Sequence, residues 1–242
     1  MDIETFDIES FKKYLSSQYQ GWNSFLNNII FPIFGEDKFE TLSDTELLEN
    51  NPEEKPLAEA TGICSIKQVG QIDIGVQPLQ IFDVTVSDRV MMERNRVNIQ
   101  RLIRKVMENY SSAFMLFHYE NDTRWDWRFT FCHKKGGQND ITDSKRYTFL
   151  LGPGQSCRTA AENFRKLYES REALDVAKIE TAFSVEALTK QFYRDLFEWY
   201  QLAVSDASNI TFPNDTAIED DDRDDIEKKI IRMITRIMFV WF

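Results

Sequence analysis

The spacing of apolar residues changes character along the chain. From Ile8 to Ile30 it follows the helical period, which predicts an amphipathic helix that Pro32 and Gly35 bring to an end. Residues 36–57 are acidic and contain proline, so they are predicted to form a connection. Beyond this connection the apolar spacing becomes that of β-strands.

Five segments have the composition or the alternation of β-strands. Pro78 separates the first two, because proline lacks a backbone donor and favours a turn. A helix is predicted over residues 89–107, between the second and third strands. The predicted strands are residues 63–76, 79–88, 112–119, 124–133 and 146–152.

The C-terminal part returns to the helical period. The segments SCRTAAENFRKLYES and SVEALTKQFYRDLFEWYQLAVS are predicted helices, and Ser184 can cap the second. The last segment, DDIEKKIIRMITRIMFVWF, is apolar to its end and lacks a glycine, proline or basic stop signal. We therefore expect a longer polypeptide that continues beyond this helix.

The order of these elements predicts a mixed α/β fold. A helix, an antiparallel meander, a crossing helix and a further strand form the core order of restriction-endonuclease-like folds, whose sheet is mixed or mostly antiparallel. The predicted organisation is an N-terminal helix with the acidic connection, an α/β core, and a helical part leading toward an absent domain. These parts comprise residues 1–57, 58–155 and 156–242.

Composition predicts a folded cytoplasmic protein. Hydrophobic residues make up 42% of the chain and aromatic residues 13%, which is enough for a packed core. No apolar run is long enough to span a membrane, and the acidic N-terminus does not resemble a signal peptide. Cys64, Cys132 and Cys157 lack CxxC spacing, so reduced structural thiols are expected.

The formal net charge of -11 disfavours nucleic acid as a partner, because neutralisation of phosphates supplies most non-specific affinity. The predicted helix at residues 89–107 is nevertheless basic, with six arginines and lysines against one glutamate. Its apolar residues share one face, and its basic residues lie roughly opposite. That basic face is either a solvated surface or a surface that contacts DNA phosphates. The apolar residues are Ile99, Leu102, Ile103, Val106 and Tyr110, and the basic ones are Arg94, Arg101, Arg104 and Lys105.

Asp73 and Asp83 are candidate metal ligands. Magnesium-dependent nucleases of the PD-(D/E)XK type need an acid on one strand and, on the next, an acid two residues before a lysine. The separation of Asp73 and Asp83 is compatible, but Thr85 stands where the lysine belongs. The pair is a structural feature, an inactive remnant or a working Mg²⁺ site. Arg96, at the edge of the apolar stripe, is the candidate substitute for the lysine.

The stretch GPGQSCRT places Gly152 and Gly154 immediately before a predicted helix. It lacks the GKS or GKT ending of a nucleotide-binding loop. It is therefore either a plain strand-to-helix turn or a seat for a DNA phosphate to which Arg158 adds charge.

The strand RWDWRFTFCH alternates strictly, with Trp125, Trp127, Phe129 and Phe131 on one side. Such a side either packs in a core or stacks nucleobases. His118 and His133 have no ligand spacing and belong to no catalytic triad that the sequence reveals.

Several phrases resemble the N-terminal region of bacterial type IIG-like or type I-like restriction-modification polypeptides: ERNRVNIQRLIRKV, AFMLFHYEN, KRYTFLLGPGQSCRTAAENFRKLY and AFSVEALTKQFYRDLFEWYQ. In such proteins a nuclease-like segment precedes an adenine-specific DNA methyltransferase domain. The resemblance implies DNA binding, Mg²⁺-dependent cleavage and a role in bacterial defence. The methyltransferase motif Asn-Pro-Pro-Tyr and a helicase ATP site do not occur in this sequence.

Two hypotheses follow. In the first, the chain is a nuclease-like domain that contacts DNA through Arg94, Arg101, Arg104 and Lys105 and, if it cuts, holds Mg²⁺ on Asp73 and Asp83. In the second, it is a docking domain whose basic helix binds the methyltransferase or specificity domains of the same polypeptide and never contacts DNA.

Overall fold

The computed structural model describes residues 7–50, 55–75, 77–92, 103–104, 106–121, 124–134, 145–205 and 223–241. The chain divides into two compact units, Met1–Ser184 and Val185–Phe242, and each is considered by itself.

Within the described residues, one six-stranded sheet forms the centre of the first unit, and its strands follow chain order. Only β3 and β4 are parallel; the other neighbouring pairs are antiparallel. A parallel pair requires a crossover, which residues 87–111 supply. The predicted mixed α/β class is confirmed. The strands are β1 (Phe39–Glu46), β2 (Ile63–Ile72), β3 (Leu79–Val86), β4 (Ser112–Tyr119), β5 (Trp127–His133) and β6 (Lys145–Leu151).

Residues 36–57 are not the connection that their acidity predicts. They contain β1, which pairs with β2 with Phe39 opposite Ile72.

 The stretch also contains one short helix and the beginning of a second, which are numbered with the others below. The Phe39 ring packs directly over Gly70, where a Cβ would collide with it, so the absence of a side chain at Gly70 makes this contact possible. β1 lies at the edge of the sheet, where acidic side chains are tolerated, and these side chains are the reason that its sequence does not resemble a strand.

The N-terminal helix is interrupted rather than continuous. The first helix ends at Leu15, and residues 16–21 form a loop that closes at Gly21, whose φ of 86° favours glycine. A helical run with a π-helical turn at Leu26–Ile30 follows. The helices of this region are α1 (Ile8–Leu15), α2 (Trp22–Phe25), α3 (Phe31–Phe34), α4 (Leu47–Asn50) and α5 (Lys55–Thr61).

One face of the sheet, called the first face, carries an aromatic core. Phe129 lies at its centre, with ring centroids 5.1 Å from both Phe114 and Phe164 and 5.5 Å from Phe183. The helices α1 to α3, α6 (Arg158–Glu169) and α7 (Val176–Phe183) contribute to this core. Burying each phenylalanine side chain contributes roughly 1.5–3 kcal/mol.

The opposite face, called the second face, has a separate apolar core. Phe82, Val84, Met115 and Phe117 project from β3 and β4 on this side. Residues from α4, α5 and the two described ends of the crossover pack against them. The sheet is therefore covered on both sides, as its parallel pair requires.

The second unit contains α8 (Val185–Val204) and α9 (Arg223–Trp241). Several large apolar side chains on these helices are exposed: Phe192, Tyr193, Phe197, Trp199, Leu202, Ile231 and Ile237. None of the described helices has the length and apolarity needed to cross a bilayer.

Candidate functional site

The crossover between β3 and β4 is held against the second face at both of its described ends. At the start, Val90 is 4% exposed and Met92 is fully buried. At the end, Ile103 is 3% exposed and Met107 is fully buried. The predicted apolar stripe is confirmed for Ile103 and for the half-buried Val106 and Tyr110, which pack against the same core. Ile99 and Leu102 lie outside the described residues.

Two arginines hold the start of the crossover through its backbone. Arg124 donates a hydrogen bond to the Val90 carbonyl at 3.3 Å, and Arg128 donates one to the Met92 carbonyl. The Met92 amide donates to the Tyr119 hydroxyl at 3.2 Å. The backbone at Val90 and Met92 is therefore anchored to the sheet.

The candidate phosphate-contacting residues are only partly described. Arg104 is exposed, next to the buried Ile103, which agrees with its predicted outward position. Arg94, Arg96, Arg101 and Lys105 lie outside the described residues. Residues 94–105 are called the basic segment below.

Arg158 lies on the exposed side of α6, with its Nε 2.9 Å from Glu162 Oε1. This ion pair offsets part of the positive charge that a phosphate would meet. The preceding glycines form a tight turn, because Gln155 donates its amide to the Gly152 carbonyl. A Cβ at Gly152 would lie 2.7 Å from the Trp125 carbonyl oxygen, so close packing accounts for this glycine.

Five polar side chains gather on the first face, where β3 and β4 approach their carboxyl ends. Tyr19, Lys67, Asp83, Thr85 and His118 form this sheet-face cluster. Asp83 Oδ1 accepts a hydrogen bond from the Tyr19 hydroxyl at 2.7 Å and lies 3.3 Å from His118 Nε2. Thr85 Oγ1 is 3.4 Å from the same nitrogen. The acid at position 83 therefore connects the sheet to the loop after α1.

His118 uses both ring nitrogens within the protein. Its Nδ1 is 3.1 Å from the Tyr119 carbonyl oxygen, where it can only donate, while Nε2 faces Asp83. Burial lowers the pKa of His118, but hydrogen bonding and charge from Asp83 outweigh it, so the net pKa is raised. Because neither nitrogen is left for a substrate, His118 does not have the geometry of a general base that activates a nucleophile.

Tyr19 closes the cluster from above the sheet. Its ring stacks on His118 with centroids 4.7 Å apart. Burial, and then the adjacent Asp83 carboxylate, raise the pKa of Tyr19 well above its usual value. The phenol is therefore a neutral donor at physiological pH, and its position depends on the break between α1 and α2.

The structure does not bring Asp73 and Asp83 together. Asp73 follows Ile72, which pairs with Leu79, whereas Asp83 pairs with Lys67. Leu79 and Asp83 are four residues apart, or about 13 Å along β3, and Asp73 lies one residue beyond the level of Leu79. Asp73 is exposed and accepts the Gly75 amide at 3.0 Å.

The predicted pair therefore does not fit a shared Mg²⁺ ion. In the parts of the chain that the structure describes, no three His, Cys, Asp or Glu side chains are placed to hold a metal. The Asp83 oxygen closest to the cluster already contacts Tyr19 and His118.

Lys67, and not Thr85, is the basic side chain beside Asp83. The two residues are direct cross-strand partners, so they lie on the same face. Lys67 is exposed, and its charge acts on His118. The lysine beside Asp83 therefore belongs to the neighbouring strand β2, whereas the nuclease pattern expects it on β3, two residues after the acid.

The sequence prediction missed Tyr19, Lys67 and His118. His118 lies 35 positions from Asp83, and only the parallel register, with Thr85 opposite His118, brings them together. A polar residue near the end of the apolar strand SAFMLFHY was the available signal for His118. Tyr19 gave none, because the predicted helix placed it within a continuous helical surface.

Comparison of the chain with protein-family models, with curated proteins and with solved structures gives no match.

Proposed function

We propose that this chain is a DNA-binding domain with a restriction-endonuclease-like sheet, of the kind that precedes the methyltransferase domain in restriction-modification polypeptides. Its basic segment contacts the phosphates of duplex DNA, and its nuclease site is an inactive remnant. The topology supports this proposal, since three antiparallel strands are followed by a crossover and a parallel fourth strand.

The observation that carries the proposal is the way the crossover is held. Buried Val90 and Met92 precede the basic segment, and buried Ile103 is one of its last residues. Because the described residues that flank the segment are held in the core, less backbone entropy is lost on binding than if its ends were free. Local positive charge can then outweigh the unfavourable net charge of -11 at short range.

The separation of Asp73 from Asp83 supports binding without cleavage. A metal-dependent nuclease needs carboxylates that converge on the ion, and these two do not. We expect no magnesium-dependent nicking of supercoiled plasmid by the purified protein. Nicking that the Asp83→Asn substitution abolishes would show that the site is active.

Charge reversal tests the DNA-binding role. The double variant R101E/R104E should weaken duplex binding by at least tenfold, since two phosphate contacts become repulsions. The matched control K38E/K55E makes the same change of charge at two exposed lysines outside the basic segment. Fluorescence anisotropy with a labelled duplex measures both. Equal losses in the two variants would show that only the net charge matters.

A second candidate function is docking onto the methyltransferase or specificity domains of the same polypeptide. The exposed apolar side chains of α8, including Phe197 at 58% and Leu202 at 63%, favour it. Exposed apolar surface of this kind is typical of protein interfaces. Under this alternative, the isolated chain forms no DNA complex even at low salt.

A further inference from the structure

The helix α9 is basic along most of its length. From Lys228 to Trp241 it contains four basic residues and no acidic one. The chain as a whole has the opposite balance, with 40 acidic residues against 29 arginines and lysines. The absence of carboxylates from this part of α9 is therefore a local feature that the overall composition does not explain.

Two arginines lie together on the exposed side of this helix. Ile230 is fully buried, and at about 100° per residue Arg232 and Arg236 lie on the opposite side of the helix from it. Both arginines are exposed. They are one turn apart, or about 6 Å along the helix axis, so they are neighbours on the surface. Their two positive charges therefore act on the same small area of solvent.

The helix α6 shows how this chain usually arranges arginines on a helix surface. Arg158 Nε lies 2.9 Å from Oε1 of Glu162, four residues further on, and the second arginine of α6 is paired with a glutamate at the same spacing. In α9 the residue four positions after Arg232 is instead Arg236. Within the described residues, neither of these two arginines has an ion pair or a side-chain hydrogen bond. Like charges at this spacing destabilise a helix, so helix stability does not account for them.

We infer that Arg232 and Arg236 form a phosphate-contacting surface for duplex DNA, in addition to the basic segment. Guanidinium groups bind phosphate oxygens through paired, charge-assisted hydrogen bonds. Because these two arginines have no carboxylate partner in the described structure, DNA would not have to break an ion pair to reach them. This surface rests on the proposed DNA-binding function, and it adds a contact whose residues all lie in the second unit.

Arg236→Glu tests this surface without weakening the helix. The substitution gives α9 the arginine–glutamate spacing of α6, so circular dichroism of the full chain should show unchanged or higher helicity. Fluorescence anisotropy with a labelled duplex should show binding weakened roughly fivefold and a log-log salt slope less steep by about one, since each phosphate contact adds about one to the slope that the basic segment gives by itself. Arg236→Lys should retain most of the affinity, because it keeps the positive charge.

Lys13→Glu is the matched control, since it makes the same change of charge at an exposed cation of α1. A larger loss of duplex binding in Arg236→Glu than in Lys13→Glu supports the surface on α9. Equal losses in the two variants, or unchanged binding by Arg236→Glu, overturn it. In that case a loss of binding in R101E/R104E leaves the proposed function standing. If the wild-type chain forms no duplex complex at low salt, the proposed function and the surface on α9 both fail.

Discussion

The first face of the sheet has two regions, which share the strand β4. Around Phe129 the neighbouring rings of Phe114, Phe164 and Phe183 are buried. Around Asp83 the neighbours are Tyr19, Lys67 and His118, and part of the region reaches solvent. The alternation of strand residues is identical in both. The two regions differ because the neighbouring strands and loops bring different residues next to Phe129 and Asp83. Alternation within one strand therefore does not distinguish a core from a polar site.

The largest expected effect is in the aromatic region. Phe129→Ala should lower the free energy of unfolding by about 3–5 kcal/mol, because it leaves a cavity among four buried rings. Urea denaturation followed by circular dichroism measures the change. A loss below about 1 kcal/mol would show that the core repacks and that this region is not closely packed.

The polar region should respond less. Asp83→Ala removes the acceptor shared by the Tyr19 hydroxyl and His118, and should cost about 1–3 kcal/mol in urea denaturation. Asp73→Ala is the matched control, since Asp73 is exposed, and it should cost less than about 1 kcal/mol. Equal losses at the two acids would contradict the central position given to Asp83 in the cluster.

A smaller effect should appear with pH. Because the pKa of His118 is raised above 6.5 in the folded state, its contribution to stability is complete below that pH and is lost as pH rises through the folded-state pKa. In Asp83→Asn the pKa should fall, since burial then dominates. Titration of the His118 ring protons by NMR measures both values. A pKa unchanged by the substitution would show that Asp83 does not set it.

The sequence predicts the sheet better than the cluster. The strand at residues 112–119 is predicted to the residue, because its apolar run is continuous and both faces are buried. β1 is missed because six of its eight residues are polar, at an edge of the sheet. Strand pairing places Lys67 and His118 next to Asp83, and the loop after α1 places Tyr19 there. The spacing of these residues along the chain does not predict the contacts.

In the proposed function, the basic segment must bind DNA although the chain has a net charge of -11. The most direct measurement is the affinity of the wild-type chain for duplex DNA over a series of salt concentrations. Four phosphate contacts predict that the logarithm of the association constant falls with the logarithm of salt with a slope of roughly -3 to -4. A slope near zero, or no complex at low salt, would contradict the proposal that the basic segment binds DNA.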